Sequence, residues 1–270
     1  MNGWVASADG TTIAYDRSGS GPSVVLVGGG AVDRSENAPL GAELATRGLT
    51  VFNYDRRGRG FSGDTPPYAV EREIEDIDAL VAEAGGSAHL FGASSGGALA
   101  LEAAAAGVAV DRLAVYEVPW STDPAWPARW HAYVDELGAL LAAGRRGDAF
   151  ELFMRLAETP EETVAAARSA PFWPDLEAIA PTLAYDAACL GDGQPPTARL
   201  ARTTRPTLVA TGVASRQPAA PTWVRALDPT GDAIAATVPG AERTVVEGQG
   251  HVADPAVLAD VLARFFKRPR

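Results

Sequence analysis

Short runs dominated by hydrophobic residues recur along the first half of the chain, and amphipathic stretches separate them. Runs of this length, bounded by Gly, Pro or charge, are typical of strands buried in a parallel sheet. The four runs are VVLV (24–27), TVFNY (50–54), AHLF (88–91) and LAVY (113–116). Residues 71–84 repeat hydrophobic positions at helical spacing behind an acidic first turn, which predicts a helix between two of these strands.

The N-terminal segment has a different pattern. Within residues 3–17, short hydrophobic stretches lie on either side of Asp9-Gly10, a pair that favours tight turns. This pattern predicts a hairpin that opens the fold.

The alternation of strands and helices stops after residue 119. Residues 119–200 are largely helical in pattern, are punctuated by Pro and contain four of the six tryptophans. We therefore predict an inserted helical cap at 119–200, with residues 1–118 and 201–270 forming the core.

The strand and helix pattern resumes after the predicted cap. TLVAT (207–211) and RTVVE (243–247) predict strands, with a helical stretch near 222–237 between them. Asp254-Pro255 provides a capping residue and a first-turn proline for a last helix. The hydrophobic face predicted for that helix consists of Val257, Leu258, Val261, Leu262, Phe265 and Phe266.

Composition narrows the functional classes. The 270 residues are 47% hydrophobic and 21% charged, which is typical of a globular protein rather than a disordered one. A net charge of −11 without a basic stripe makes nucleic acid an unexpected partner. Because Cys189 is the single cysteine, an internal disulfide and a cysteine-rich metal site are excluded. With no leader-like or membrane-spanning pattern, we expect a soluble, cytoplasmic protein without a metal or cofactor and without membrane association.

The strongest chemical motif is Gly92-Ala93-Ser94-Ser95-Gly96, placed between the predicted strand AHLF and an Ala-rich helix. A GxSxG sequence in this context predicts a nucleophile elbow, in which a sharp turn exposes the Ser94 hydroxyl at the carboxyl edge of the sheet. The N–H of Ser95, at the start of the helix, is then free to face an anion. The alternative is a glycine-rich turn with no chemical role.

A serine needs a base, and histidine has a suitable ordinary pKa of about 6.5. Of the three histidines, His251 lies in the loop after RTVVE and is therefore expected at the same sheet edge as Ser94. His89 lies inside a predicted strand, and His131 lies in the predicted cap, so we expect a core role for the former and a surface or substrate-facing role for the latter.

Two glycine-containing loops follow predicted strands. The loop Gly28-Gly29-Gly30-Ala31 is a candidate for the second oxyanion donor, with Gly30 favoured and Gly29 next; a flexible turn is the alternative. A phosphate loop is disfavoured because no Gly-Lys-Ser/Thr follows. In YDRRGRGFSG (54–63) the arginines are interpreted as turn-stabilising partners in ion pairs involving Asp55, rather than as a site for an anionic substrate.

Across nearly its whole length the chain resembles the α/β-hydrolase superfamily. The motifs VVLVGGGAVDRS, YDRRGRGFSGDTPPYAVEREIEDIDALV, FGASSGGALALEAAA, LAVYEVPW and VEGQGHVADP are similar to those of a mostly uncharacterised actinobacterial group. The resemblance implies an α/β-hydrolase fold: a mostly parallel, twisted sheet flanked by helices, with an inserted helical cap. It also implies a catalytic order of serine, acid and histidine.

The orienting acid departs from the superfamily pattern. Most members carry an Asp after the strand that corresponds to TLVAT, but residues 211–221 contain no carboxylate. Some members carry the acid one strand earlier, where this chain has Glu117. We therefore favour Glu117, with Asp228 or Asp232 as alternatives and a Ser-His dyad also possible.

These residues predict a serine hydrolase that forms an acyl-enzyme on Ser94 from a small ester or thioester. An apolar or aromatic acyl group is expected from the aromatic residues of the predicted cap, although those side chains could instead form the interior of the cap. The substrate-binding candidates are Trp120, Trp126, Trp130, Phe153 and Trp173.

Two alternatives stay open at this point. One is an acyl-transfer cyclase of specialised metabolism, in which an intramolecular hydroxyl or amine captures the acyl-enzyme. The other is a binding protein or non-covalent catalyst on the same scaffold, which the missing acid would favour. An ordinary epoxide hydrolase or dehalogenase is disfavoured because those relatives have Asp where this chain has Ser94.

Overall fold

A computed structural model describes residues 2–269, which form an eight-stranded sheet with the strand order β1-β2-β4-β3-β5-β6-β7-β8. The strands are β1 (Asn2–Ala6), β2 (Thr12–Gly19), β3 (Ser23–Val27), β4 (Thr50–Tyr54), β5 (Ala88–Ala93), β6 (Val110–Tyr116), β7 (Thr207–Gly212) and β8 (Glu242–Val246). Strand β2 is antiparallel to both of its neighbours, and the remaining pairs are parallel. The implied fold is thus confirmed.

Eleven α-helices connect the strands of the described chain. They are α1 (Ala38–Thr46), α2 (Val70–Glu83), α3 (Ser95–Ala106), α4 (Trp126–Ala142), α5 (Arg146–Leu156), α6 (Glu161–Arg168), α7 (Trp173–Ile179), α8 (Leu183–Leu190), α9 (Thr197–Leu200), α10 (Thr222–Thr237) and α11 (Pro255–Phe266). Short 3-10 helices lie at Ala180–Thr182 and Val213–Arg216. No helix in residues 2–269 combines the length and the hydrophobicity needed to cross a membrane.

The uninterrupted hydrophobic runs form strands that are covered on both faces. Val25 and Val27 of β3 belong to the core shared with α2 and α3, whereas Val24 and Leu26 belong to the core shared with α1 and α11. Because successive side chains of a strand point to opposite faces, helices on both sides of the sheet require a continuous hydrophobic run. All six strands predicted from such runs are present, with ends that differ by three residues at most.

The predicted N-terminal hairpin is also present. Strands β1 and β2 pair with Val5 opposite Ile13, and Gly10 in the turn has a φ of +84°, which glycine adopts without steric cost. In the turn, the Asp9 carboxylate accepts a hydrogen bond from the Thr11 N–H at 2.9 Å.

The last helix begins as predicted but buries a different face at its start. The Asp254 carboxylate caps α11 by accepting hydrogen bonds from two first-turn N–H groups. The prediction that Val257 belongs to the buried face is wrong, because Val257 is 38% exposed. The buried face includes Ala259 and Ala263, and at about 100° per residue this rotation directs Val257 toward solvent.

The predicted cap, residues 119–200, contains helices α4 to α9 between β6 and β7. Indole N–H groups stabilise its packing: Trp120 donates to the Leu190 carbonyl at 3.0 Å and Trp130 to the Gly191 carbonyl at 2.7 Å. Both acceptors lie at the end of α8, so this helix is tied to the segment that enters the cap.

The arginines after β4 are structural, although their partners differ from the prediction. Arg56 binds both carboxylate oxygens of Glu73 at 2.7 Å, and Arg57 binds those of Asp76 at 2.7 and 2.8 Å. All four side chains are buried, and both acids lie on α2. The predicted partner Asp55 instead pairs with Arg34 and accepts a hydrogen bond from a backbone N–H in the same turn.

The buried Arg56–Glu73 pair predicts an acid-dependent stability. Burial opposes ionisation of Glu73, but the charges of Arg56 and Arg59 and the hydrogen bonds from Arg56 and Tyr68 together outweigh it and lower the pKa of Glu73 below its ordinary value of 4.5. A lowered folded-state pKa contributes stability that is present above pH 4.5 and is lost as the pH falls toward the folded-state pKa.

We therefore expect Glu73→Gln to lower the free energy of unfolding by about 3 kcal/mol at pH 7. The difference from wild type should shrink as the pH falls below 4.5, which urea unfolding at a series of pH values measures. A difference that stays constant with pH would contradict the role of this ion pair.

Candidate active site

The predicted nucleophile, Ser94, lies between the end of β5 and the start of α3. Its φ of 54° and ψ of −131° are uncommon for a residue with a side chain and mark a strained turn. The Ser94 N–H donates to the Tyr116 carbonyl of β6 at 2.9 Å, which anchors the turn to the neighbouring strand. Ser94 lines a cavity, and the elbow motif predicts this exposure of its hydroxyl.

Glycines flank Ser94 because the backbone is crowded there. A Cβ on Gly92 would lie 2.3 Å from the Gly96 carbonyl oxygen, and one on Gly96 would lie 2.4 Å from the carbonyl oxygens of Val27 and Gly28. Both separations are too short for any side chain. The GxSxG spacing is therefore required by the approach of α3 to β5 and β3.

Glu117, the favoured acid, contacts the predicted base. One of its carboxylate oxygens accepts a hydrogen bond from His251 Nδ1 at 2.8 Å, and the other accepts one from the Gly212 N–H at 2.7 Å. Glu117 is 1% exposed and has a φ of 49°, a second strained residue at this sheet edge. With Nδ1 engaged in this way, Nε2 is the nitrogen of His251 available for proton transfer.

The alternative acids are engaged elsewhere. Asp228 is paired with Arg216 and Arg243, and Asp232 is paired with Arg243. Both aspartates lie on α10, and these ion pairs hold their carboxylates along that helix and β8. Glu117 is thus the candidate acid that the structure brings to His251.

The loop that carries His251 is fixed against the ends of β6 and β7. The Tyr116 hydroxyl donates to the Gly250 carbonyl at 2.6 Å. A Cβ on Gly212 would lie 2.5 Å from the Gln249 carbonyl oxygen, so the loop passes directly over the end of β7. These contacts set the height of His251 above the sheet.

Trp223 packs against His251, and sequence reasoning did not single it out. Its ring meets the imidazole edge to face, with centroids 4.9 Å apart, and its Nε1 donates to the Ala157 carbonyl at 2.9 Å. Trp223 lies in the first turn of α10, where a tryptophan within a helical pattern carries no signal that distinguishes a site residue from a packing residue. It joins the histidine to the end of α5.

The predicted oxyanion loop lies beside the elbow. A Cβ on Gly29 would lie 3.2 Å from Ser94 Cβ and 3.9 Å from its Oγ, and Gly29, Gly30 and Ser95 all line the same cavity as Ser94. Ser95 is the first residue of α3, so its N–H has no acceptor within the helix. The loop and the start of α3 therefore lie beside the Ser94 hydroxyl.

The cavity over Ser94 has a volume of about 960 Å³. Four of the five predicted substrate-binding residues line it: Trp120, Trp126, Trp130 and Phe153. Tyr133 and Trp223 add aromatic surface that the prediction did not include. Charged side chains, namely Glu36, Asp123, Arg129, Glu158, Asp186 and Arg225, also contribute to the lining.

Trp173, the fifth predicted substrate-binding residue, is not among the residues that line this cavity. Trp173 is buried within the predicted cap, with its ring edge-on to Phe150 at 6.0 Å and its Nε1 donating to Glu177 at 3.0 Å. It lies on α7 and packs toward α5, so it stabilises the interior of the cap and does not line the cavity over Ser94.

The other two histidines lie away from this cavity. His89 is buried in β5 and stacks on Phe266 at 4.7 Å, as expected for a core residue, whereas His131 is exposed on α4. Within residues 2–269, His, Cys, Asp and Glu side chains form no group of three suited to a metal ion.

Solved structures of known proteins share the fold of this chain. An alpha/beta hydrolase from Sphaerobacter thermophilus is 49% identical, with a TM-score of 0.85 over 98% of this chain and 100% of that one. An esterase from Exiguobacterium antarcticum, 19% identical, shares the fold with a TM-score of 0.74 over 99% of this chain and 100% of that one.

An uncharacterized hydrolase, YraK, from Bacillus subtilis is 34% identical over 106 residues, which span 38% of this chain and 39% of that protein. The narrower resemblance to actinobacterial proteins stays a prediction. A model of the family described as "Alpha/beta hydrolase family" matches residues 24–261. From this match and the shared fold, the chain belongs to the alpha/beta hydrolase family.

Proposed function

We propose that the protein is a serine hydrolase that cleaves a small ester or thioester with an apolar or aromatic acyl group. The observation that carries this proposal is the hydrogen bond between Glu117 and His251 Nδ1, in a histidine that lines the same cavity as Ser94. Membership of the alpha/beta hydrolase family supports hydrolysis as the reaction class.

The proposed reaction proceeds in two acyl-transfer steps. The Ser94 hydroxyl attacks the carbonyl carbon while His251 Nε2 takes its proton, and the carbonyl oxygen becomes an oxyanion that accepts hydrogen bonds from the Gly30 and Ser95 N–H groups. Collapse of this intermediate breaks the bond to the alcohol or thiol, which receives the proton from His251. Water, activated by the same histidine, then releases the acid from Ser94.

The role of Glu117 follows from its two hydrogen bonds. Its carboxylate selects the tautomer of His251 that has the proton on Nδ1 and stabilises the imidazolium that forms during attack. The Gly212 N–H orients the carboxylate by binding its other oxygen. The absence of an acid in residues 211–221 was the main support for a non-catalytic alternative, and Glu117 removes that support.

A fluorophosphonate probe should label Ser94 at neutral pH. The Ser94 oxygen attacks phosphorus, an O–P bond forms, the P–F bond breaks and fluoride leaves. Mass spectrometry of the intact protein and of its peptides should find one adduct, on Ser94, and Ser94→Ala should give none. An unlabelled wild-type protein would overturn the proposed function.

Glu117→Gln should lower kcat for ester hydrolysis by about 10³-fold or more with little change in the fold, because an amide cannot hold the same tautomer. The glutamine oxygen can still accept the hydrogen bond from Gly212. Asp228→Asn provides the matched control, since Asp228 is the alternative acid and is engaged with arginines. Full activity in Glu117→Gln, or an equal loss in Asp228→Asn, would remove Glu117 from the mechanism.

The cavity predicts a preference for bulky acyl groups. Phe153→Ala should raise KM for a phenylacetyl ester about tenfold, equivalent to about 1.4 kcal/mol, and should change KM for an acetyl ester little. Phe172→Ala is the control, because Phe172 is 53% exposed and lies outside the cavity lining. Equal kcat/KM of the wild-type enzyme for acetyl, hexanoyl and phenylacetyl esters would contradict this preference.

A further inference from the structure

A cluster of buried charges lies directly behind the predicted oxyanion donors. It contains Arg56 and Arg59, which follow β4, and Asp186, which comes from α8 in the predicted cap. These residues are at most 7% exposed. Asp186 is thus a buried acid that the proposed reaction does not use, positioned by a helix outside the core sheet.

Asp186 makes four hydrogen bonds that tie the predicted cap to the core: one to the elbow helix, one to the oxyanion loop and two to the arginines after β4. Its Oδ1 accepts bonds from the Ser95 hydroxyl at 2.8 Å and from Arg56 and Arg59 at 2.7 Å each. Its Oδ2 accepts a bond from the Ala31 N–H at 3.2 Å. The carboxylate therefore bridges the start of α3 and the end of the oxyanion loop.

Arg59 connects Asp186 to the Gly29–Gly30 peptide, whose N–H is the predicted oxyanion donor. Its Nη1 donates to the Gly29 carbonyl oxygen at 2.5 Å while its Nη2 is held by Asp186. In a planar trans peptide the C=O and the following N–H point in opposite directions. Because Arg59 holds the Gly29 oxygen, the Gly30 N–H points away from Arg59.

The next residue shows why the loop needs such support. Ala31 has a φ of 52°, a left-handed conformation that is unfavourable for a residue with a side chain. The hydrogen bond from its N–H to Asp186 stabilises this conformation. Without it, the loop could relax and rotate the adjacent Gly30 peptide.

The charge of Asp186 is maintained at neutral pH. Burial favours the neutral acid, but the neighbouring Arg59 and Arg56 guanidinium groups outweigh it and hold the pKa of Asp186 below its ordinary value of 3.8. A buried carboxylate between two arginines gains charge-assisted hydrogen bonds, which hold the partners in one geometry.

We propose that Asp186 is a positioning residue for the oxyanion hole, and that the hole is complete only when α8 is seated on the core. This inference rests on the proposed serine hydrolase function and extends it to a catalytic contribution from the predicted cap. Asp186 acts through Arg59 on the Gly29–Gly30 peptide and through the Ser95 hydroxyl on the start of α3. The cap then contributes to transition-state binding in addition to enclosing the acyl group.

The test is Asp186→Asn, which preserves shape and removes the charge. Loss of one oxyanion donor costs about 10² to 10³ in kcat, so a donor that remains but is misaligned should cost about 10- to 100-fold. We expect KM for a substrate ester to stay within about twofold, because asparagine keeps the shape of Asp186 where it lines the cavity and leaves the contacts with the acyl group unchanged. Affinity for a trifluoromethyl ketone analogue, which forms an oxyanion on Ser94, should fall by the same factor as kcat.

Asp76→Asn is the matched control. It breaks the buried Arg57–Asp76 ion pair, which has no contact with the loop or the elbow, and should lower thermal stability while leaving kcat and analogue affinity unchanged. Comparable loss of kcat in both variants would show a general effect of destabilisation and overturn the proposal. Wild-type kcat and analogue affinity in Asp186→Asn would also overturn it.

A second variant keeps the proposal testable if Asp186→Asn does not fold. Ser95→Ala removes the hydrogen bond to Asp186 and a longer one from Arg56 at 3.3 Å, and it leaves both arginines paired with Asp186, so kcat and analogue affinity should fall together by about 3- to 10-fold. Unchanged values in Ser95→Ala would then count against the proposal.

Fluorophosphonate labelling separates the proposed hydrolase function from the proposed role of Asp186. Unlabelled wild-type Ser94 refutes the hydrolase function, whereas equal labelling rates in wild type and Asp186→Asn refute only the role of Asp186.

Discussion

The backbone of Gly96 lies against the carbonyl oxygens of Val27 and Gly28, where a Cβ would be 2.4 Å from both oxygens. This approach brings the start of α3 against the end of β3, and the rest of the site depends on it. It places Ser94 and the loop of Gly29 and Gly30 side by side on one cavity. A larger residue at position 96 would separate them and move the Ser95 N–H away from the loop.

A second constraint on the site is that the buried charges next to this contact are paired. Arg56 and Arg59 are buried, and an isolated charge in a protein interior is unfavourable by several kcal/mol. Glu73 of α2 and Asp186 of α8 compensate these charges, so the arginines join the sheet edge to one helix of the core and one of the predicted cap. Ala31 donates to Asp186, and Ser94 precedes Ser95, which also donates to Asp186, so this framework supports two of the strained residues at positive φ.

The points on which the structure differs from the sequence interpretation have one physical cause, which is the packing of distant elements. Trp173 and Val257 were placed correctly on helices, but the direction in which each helix packs decides whether a hydrophobic side chain lines a cavity, fills a core or faces solvent. The arginines of residues 54–63 were correctly interpreted as structural, yet their partners lie in the N-terminal hairpin, on α2 and on α8, up to 130 positions away. Trp223 and Asp186 were not singled out, because neither belongs to a local motif.

The sequence by itself determined the strands, the elbow of Ser94, the histidine loop and the family resemblance, because each depends on local periodicity, glycine spacing or chain order. It also narrowed the candidates for the acid that orients His251 to Glu117, Asp228 or Asp232. Only the tertiary structure decided that Glu117 meets His251, at 2.8 Å, since that contact joins residues 134 positions apart. The elbow at Ser94 thus depends on local sequence. The groups that orient the residues around Ser94 come together only when the sheet and the predicted cap are packed.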